Sequence, residues 1–177
     1  NKLSVRFHGE PGIDAGGLTK EMFTVFFAAV TSGECDLFEF DTDAEHPTFL
    51  PAAAPDGEGE DPALGMFEAV GRVMAKAILD GVPVPARFHP CLFRALLRGA
   101  NFEPNLHELE TFSPTEARSC RQLLATDDVG MLYLTFEETD GGEDVTAENV
   151  ARDVRRRAYH SLVGNRRGRL DAMKRGF

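Results

Sequence analysis

The chain has 177 residues, 42% hydrophobic and 27% charged, with 14 Phe, no Trp and a formal net charge of -10. That size suits one well-buried domain with a smaller lobe inserted, and excludes two large independent domains; the composition is globular and no apolar run approaches a membrane span. The charge is uneven: residues 150–177 carry nine Lys/Arg against two Asp, and residues 1–149 carry ten against twenty-seven. In chain order, Leu3, Val5 and Phe7 alternate with Ser4 and Arg6, the period of a half-buried strand that ends at His8-Gly9. Residues 18 to 31 predict a helix, apolar nearly all round and so central to the core. Periodicity is then lost to residue 62, where PAAAPDGEGEDP at 51–62 reads as a surface loop and DLFEF and PTFLP as short strands.

Phe67, Val70, Met74, Ala77 and Ile78 predict a helix over 64–79, with Gly81 as its left-handed cap. Pro90 opens the next helix and Gly99 closes it. Residues 100–112 read as a linker with a turn of helix. Ser113-Pro114-Thr115-Glu116 reads as a capping box that starts a helix over 114–125. MLYLTFEE at 131–138 predicts a strand, and Asp140-Gly141-Gly142 a turn. Thr146 is the expected N-cap of a last helix pair, 147–163 and 166–175.

Enzymatic signatures are missing from the sequence. There is no G-x-x-x-x-G-K-[ST], no G-x-S-x-G and no H-E-x-x-H, and the glycines after the first strand do not fit G-x-G-x-x-G. The five His are scattered and Cys35, Cys91 and Cys120 lie far apart, so no metal site and no cofactor are expected. The odd, dispersed cysteines fit a reducing compartment, cytoplasmic or nuclear, and the first residues carry no targeting signal. Arg155, Arg156 and Arg157 are consecutive and spread around a helix. Internal pairing with the acidic body is the expected use of the basic tail, and neither nucleic acid nor a membrane is an expected partner.

GEPGIDAGGLTKEMF, residues 9–23, places Gly9, Gly12, Gly16 and Gly17 around the carboxylates Glu10 and Asp14, ahead of Glu21. The glycines permit positive φ or close backbone approach, and the carboxylates accept from the N–H groups that such a loop leaves unpaired. That is a scaffold. A catalytic acid and base pair would need a cleft and a partner group as well.

This stretch, G-E-x-G-x-D-x-G-G-x-x-x-E-x-F after LSVRF, resembles the N-terminal signature of the HECT family of ubiquitin-protein ligases. DLFEF at 36–40, VGRVMAKAILDG at 70–81 and RFHPCLFRALLRG at 87–99 resemble further family segments. LTF at 134–136, DVTAEN at 144–149 and AMKRGF at 172–177 complete seven stations in family order. The resemblance implies a mostly helical α+β fold with small antiparallel sheets. It implies a large subdomain at 1–100, an inserted small subdomain at 101–153 and return helices at 154–177, with the C-terminal catalytic lobe outside the chain.

The partners the resemblance implies are a ubiquitin-conjugating enzyme, ubiquitin, and a protein substrate held by other regions. Ubiquitin passes in this family to a cysteine of the C-terminal lobe, so no catalytic residue is expected here, and the three cysteines read as packing residues. Family position makes Leu124, Leu132, Tyr133 and Leu134 members of the conjugating-enzyme groove, and Phe40 a ubiquitin contact. Gly9, Glu10, Gly12, Asp14, Gly16, Gly17 and Glu21 form the structural signature. Glu116, Cys120, Thr126, Asp153 and Arg157 depart from the family's apolar or aromatic residues, and the segment from Phe136 to Val145 is short. Two readings stay open: a ligase lobe with a modified groove, or a diverged, non-catalytic module that binds ubiquitin or another partner.

Overall fold

Seven α-helices carry the fold among the residues that the computed structural model describes, 3–9, 16–55, 61–135 and 142–177. They are α1 (Gly17–Val30), α2 (Leu64–Leu79), α3 (Pro90–Arg98), α4 (Leu106–Phe112), α5 (Pro114–Leu124), α6 (Val150–Leu162) and α7 (Arg167–Gly176). Two short strands, β1 (Phe38–Glu39) and β2 (Leu50–Pro51), pair antiparallel in the register Phe38 with Pro51 and Glu39 with Leu50. The protein is thus mostly helical α+β. No described helix is long and apolar enough to cross a membrane.

The helix predicted over 64–79 is α2, which turns Phe67, Val70, Gly71, Met74 and Ala77 inward. It ends as Gly81 predicts. Gly81 has φ +68°, its N–H donates to the Ile78 carbonyl, and the Val82 N–H reaches the Ala77 carbonyl at 2.9 Å. These two bonds satisfy carbonyls that a helix end otherwise leaves unpaired. Ile78 does not belong to the buried stripe, being 51% exposed.

Phe23 and Phe27 of α1, Phe67 and Met74 of α2, Leu92 of α3 and Leu170 of α7 meet in one core. The sheet delivers aromatic rings to it. Phe38 stacks on Phe67 at 5.7 Å and on Phe88 at 5.2 Å, and Phe88 meets Phe27 at 6.1 Å. Each such side chain contributes roughly 1.5–3 kcal/mol on full burial.

Several expectations are corrected. Helix α1 is one-sided: Thr19, Phe23, Phe27 and Val30 are buried while Val25 is 54% exposed, because packing occupies one stripe of the helix. Residues 3–7 form no strand. Their alternation survives as alternating burial, since Leu3 packs on the core, which a period-two pattern requires without requiring a ladder. The capping box at Ser113–Glu116 does not form. Ser113 Oγ donates to Asp41 Oδ2 at 3.0 Å and Glu116 Oε2 accepts from Ser161 Oγ at 2.7 Å, so both side chains are taken by distant partners.

The capping box lies elsewhere. Asn105 Oδ1 accepts from the Glu108 N–H at 2.9 Å and Glu108 Oε2 accepts from the Asn105 N–H at 2.8 Å, so the expected single turn is a two-turn helix, α4. Helix α6 starts at Val150, three residues later than expected, because Asn149 turns back onto the chain before it.

His89 ties α3 to α4. Fully buried, it caps α3 by accepting from the Cys91 N–H at Nδ1 (3.2 Å), so Nε2 carries the proton and donates to the Glu108 carbonyl at 3.1 Å. Burial, outweighing the Glu108 carbonyl and carboxylate, lowers its pKa below the ordinary 6.5. The unfolded chain therefore binds the extra proton first, so this contribution is intact above 6.5 and is lost as pH falls towards the folded value. Urea melts of the wild type should lose midpoint between pH 7 and pH 5.5. His89→Asn, which keeps the cap acceptor, should be weaker at pH 7 and have a flatter slope in that window; an identical slope would assign the dependence to other groups.

Candidate functional site

The apolar positions singled out for docking lie where α5 ends and the chain turns towards α6. Helix α5 stops at Leu124; the Ala125 N–H still reaches the Arg121 carbonyl at 3.1 Å, and Thr126 Oγ1 bonds back to the Gln122 carbonyl at 2.8 Å. A 3-10 turn, Val129–Leu132, follows and takes the first two residues of the strand expected over 131–138, of which 136–138 lie outside the described residues. Its Val129 is buried and packs with Val145 and Val150 in a second, small core, against which Leu123 and Leu134 also rest. With Val129 anchored inward, the next residues turn outward. Met131 is 65% exposed, Leu132 48% and Tyr133 85%. Tyr133 sits in the left-handed region at φ +50°, which ends any alternation between Leu132 and Leu134.

Beyond Tyr133, the Leu134 carbonyl accepts from the Val145 N–H at 2.7 Å and Thr135 bridges Asp144. Phe136 and the turn residues Asp140 and Gly141 lie outside the described residues. Asn149 braces the far side: its Oδ1 accepts from the Thr146 N–H at 2.8 Å and its Nδ2 donates to the Asp144 carbonyl at 2.9 Å. This gives DVTAEN a physical role. The terminal amide of the motif holds its first residues in a fixed turn.

Leu124, 45% exposed, borders a hollow of about 330 Å³ with Pro104, Leu106, Ala151 and Val154. Leu132 and Tyr133 are thus open to solvent just beyond the buried Val129, Leu124 is open to the hollow, and Leu134 is half-buried against the small valine core. Phe40, 44% exposed, lies elsewhere, stacked edge-on against Phe49 at 5.2 Å.

Four of the departing positions fall in the seam between α5 and α6. Cys120 and Asp153 are buried, Arg157 Nε donates to Asp153 Oδ2 at 2.6 Å, and Glu116 takes the Ser161 hydroxyl. The polar residues there satisfy one another, as buried polar groups must. Thr126 is exposed.

The signature loop is described only in part. Gly9 and Gly16 have φ +86° and +103°, with open space where a side chain would stand, so it is backbone freedom and not close approach that selects glycine there. Gly17 opens α1 and Glu21 is exposed. Glu10, Gly12 and Asp14 lie outside the described residues. Cys35 is exposed. Burial pushes the Cys91 thiol up to about 12 and raises that of Cys120, so neither is a thiolate at neutral pH. Among the described residues no group of His, Cys, Asp and Glu could hold a metal ion.

Much of the basic tail is spent internally. Arg166 pairs with Glu39 at 2.8 Å, and Arg169 pairs with Asp61 at 2.6 Å while donating to the Ala52 carbonyl at 2.9 Å. Sequence reasoning missed one feature. Arg152, Arg155, Arg156 and Tyr159 line one cleft, a face that the spacing i, i+3, i+4, i+7 announces.

With this geometry in view, residues 20–177 match the family described as HECT-domain (ubiquitin-transferase). The chain belongs to the HECT family, a family of ubiquitin transferases. It is similar to E3 ubiquitin-protein ligase UPL1 of Arabidopsis thaliana, at 32% identity over 135 residues, 76% of this chain and 4% of that protein. E3 ubiquitin-protein ligase pub3 of Schizosaccharomyces pombe is 31% identical over 149 residues, 83% of this chain and 18% of its own. E3 ubiquitin-protein ligase TOM1-like of Neurospora crassa is 27% identical over 194 aligned positions, 99% of this chain and 4% of its own. The chain therefore spans a small part of the length of these relatives.

Proposed function

We propose that the chain is the N-terminal lobe of a HECT-type ubiquitin-protein ligase, with residues 101–153 as the subdomain that docks a ubiquitin-conjugating enzyme. Ubiquitin then passes to a cysteine in a C-terminal lobe outside residues 1–177. The thiolate of that cysteine attacks the thioester carbonyl, the conjugating enzyme's thiol leaves, and the new thioester acylates a substrate lysine. Thiolate chemistry suits a relay, because the sulfur is a good nucleophile near neutral pH and its thioester stays reactive towards amines.

The observation that carries the docking reading is the exposed run Met131-Leu132-Tyr133 on a turn anchored by buried Val129. Three large apolar side chains in succession, left in water on one turn, mark an interaction surface. A tyrosine with most of its ring exposed is a residue type that dominates interfaces once a partner covers it. Leu124, exposed at the end of α5, is the further apolar member of the proposed docking site. Phe40 is assigned to a separate contact with ubiquitin.

Tyr133→Ala should weaken binding to a cognate conjugating enzyme by about tenfold or more, the usual cost of truncating a central aromatic anchor. Leu132→Asp should do the same, with melting temperature unchanged in both. NMR titration against a panel of conjugating enzymes provides the measurement, and full retention of affinity in both variants would remove this surface from the docking site. Leu134→Asp is a poorer probe, because Leu134 also packs on the small core.

The polar seam between α5 and α6 favours a second reading, a diverged module that binds ubiquitin or a partner without transfer. Chemical-shift changes with ubiquitin but with no conjugating enzyme would select it.

A further inference from the structure

On α6, Arg152, Arg155, Arg156 and Tyr159 face Asn101, Phe102 and Glu103 across a cleft of about 670 Å³. Arg167 reaches its rim from α7: Nη2 donates to Asn101 Oδ1 at 2.8 Å and Nη1 to the Tyr159 hydroxyl at 3.5 Å. From another side the Arg94 guanidinium lies 4.2 Å from the centre of the Phe102 ring. Among the described lining residues Glu103 is the one carboxylate; at the edge Glu143 pairs with Arg152, and Asp171 lies 3.9 Å from Arg167. Exposed Arg155 makes no ion pair or hydrogen bond among the described residues.

A concentration of cations in an open cleft is costly unless something anionic offsets it. The chain has carboxylates to spare, since residues 1–149 carry ten Lys/Arg against twenty-seven Asp/Glu. Two tail arginines, Arg166 and Arg169, are buried against such carboxylates, whereas Arg155 is turned outward. Guanidinium groups take carboxylates in bidentate pairs, and Phe102 and Tyr159 offer apolar surface between them.

We propose that this cleft binds a short acidic peptide segment of a partner protein, its carboxylates on Arg155 and Arg156 and an apolar side chain against Phe102 and Tyr159. A short segment fits better than a long polyanion. An extended nucleic acid would have to run on from this one basic face over an acidic body, and its phosphates would be repelled there. Leu132 and Tyr133 are not among the lining residues, whereas Arg155 and Glu103 also border the hollow beside Leu124, so the cleft adjoins that part of the proposed docking surface.

The test is fluorescence anisotropy with a labelled peptide Asp-Glu-Asp-Phe-Glu-Glu, its amide counterpart Asn-Gln-Asn-Phe-Gln-Gln, and a single-stranded deoxythymidine hexamer. The acidic peptide should bind about tenfold or more tightly than the amide peptide, with affinity that falls as NaCl rises. Arg155→Glu with Arg156→Glu should lower that affinity about tenfold or more, while Arg118→Glu, exposed on α5, changes it less than about twofold. Arg155→Gln, a milder change at an exposed position, gives the same comparison if the double variant melts early. No binding of the acidic peptide, equal binding of the amide peptide, equal losses at Arg118 and at Arg155, or tighter binding of the hexamer would each overturn the proposal.

Discussion

Gly71→Ala and Gly176→Ala should each destabilise the protein by about 3 kcal/mol or more, the upper range for forcing atoms into a filled interior. Helices α2 and α7 cross with their backbones in contact. A Cβ on Gly71 would overlap the Met173 carbonyl oxygen and lie 2.9 Å from its carbon and 3.1 Å from the Phe177 nitrogen. One on Gly176 would overlap the Glu68 carbonyl oxygen and stand 3.0 Å from the Arg72 nitrogen. All of these are main-chain atoms, so no side chain can swing aside; the helices must part. Helix propensity works the other way, favouring Ala by about 1 kcal/mol, and is too small to offset the clash.

Gly65→Ala is the matched control in α2. It has nothing within 4 Å of its Cβ position, and should stabilise the protein by about 0.5–1 kcal/mol. Thermal or urea melts of the three variants measure the contrast. A Gly71→Ala protein as stable as the wild type would show that α2 and α7 can separate without loss.

This crossing also explains two of the sequence stations. The glycine of VGRVMAKAILDG and the glycine of AMKRGF are over a hundred residues apart, and nothing in either segment announces that they meet. What the sequence does show is local: the stripe of α2, the Gly81 cap, Pro90 and Gly99 at the ends of α3. Those signals depend on residues within a turn of each other, so they are legible. Ser113 and Glu116 satisfy the same local rule and still form no box, because Asp41 and Ser161 compete for them through the tertiary fold. Asn105 and Glu108 obey the rule, Glu108 meeting Arg94 through Oε1 while its Oε2 keeps the Asn105 N–H, and the box forms.

The apolar residues around the end of α5 and the turn after it were legible in the sequence, and the shape of that turn was not. Leu124, Leu132 and Tyr133 are exposed, but MLYLTFEE reads as a strand because Leu132, Leu134 and Phe136 recur at every second position. Burial of Val129 and the left-handed Tyr133 set the turn instead, and neither is visible in a period-two pattern. The departures at Glu116, Cys120, Asp153 and Arg157 look like scattered losses of apolar character in the sequence. In the fold they are neighbours across one seam, where exchanging one residue alone would leave a polar group without its partner.

Arg166 is expected to be the most damaging polar position in the chain, and its substitution carries the second large effect. Its side chain is 1% exposed. Nε donates to Asn165 Oδ1 at 3.0 Å, Nη1 pairs with Glu39 at 2.8 Å and also reaches the Pro51 carbonyl, and Nη2 donates to the Ser161 carbonyl at 2.6 Å. The guanidinium lies 5.2 Å from the centre of the Phe112 ring. One planar group thus fastens β1, β2 and the end of α6 together. Burial lowers its pKa from the ordinary value, yet an arginine remains charged at any working pH.

Arg166→Ala would leave two main-chain carbonyls without this donor and Glu39, itself 40% exposed, without its ion pair, so a loss of about 2–6 kcal/mol is expected, about 1–3 kcal/mol for each buried acceptor left unpaired. Arg166→Lys keeps the charge but replaces a fixed fork by a single ammonium, which cannot reach Asn165, Pro51, Glu39 and Ser161 at once. It should recover only part of the loss. Arg166→Met tests the remaining alternative, that apolar volume alone is needed; melts that rank methionine level with the wild type would refute the network account. The ordering expected from the geometry is wild type, then lysine, then methionine, then alanine, because methionine fills the space yet satisfies none of the oxygens that converge there.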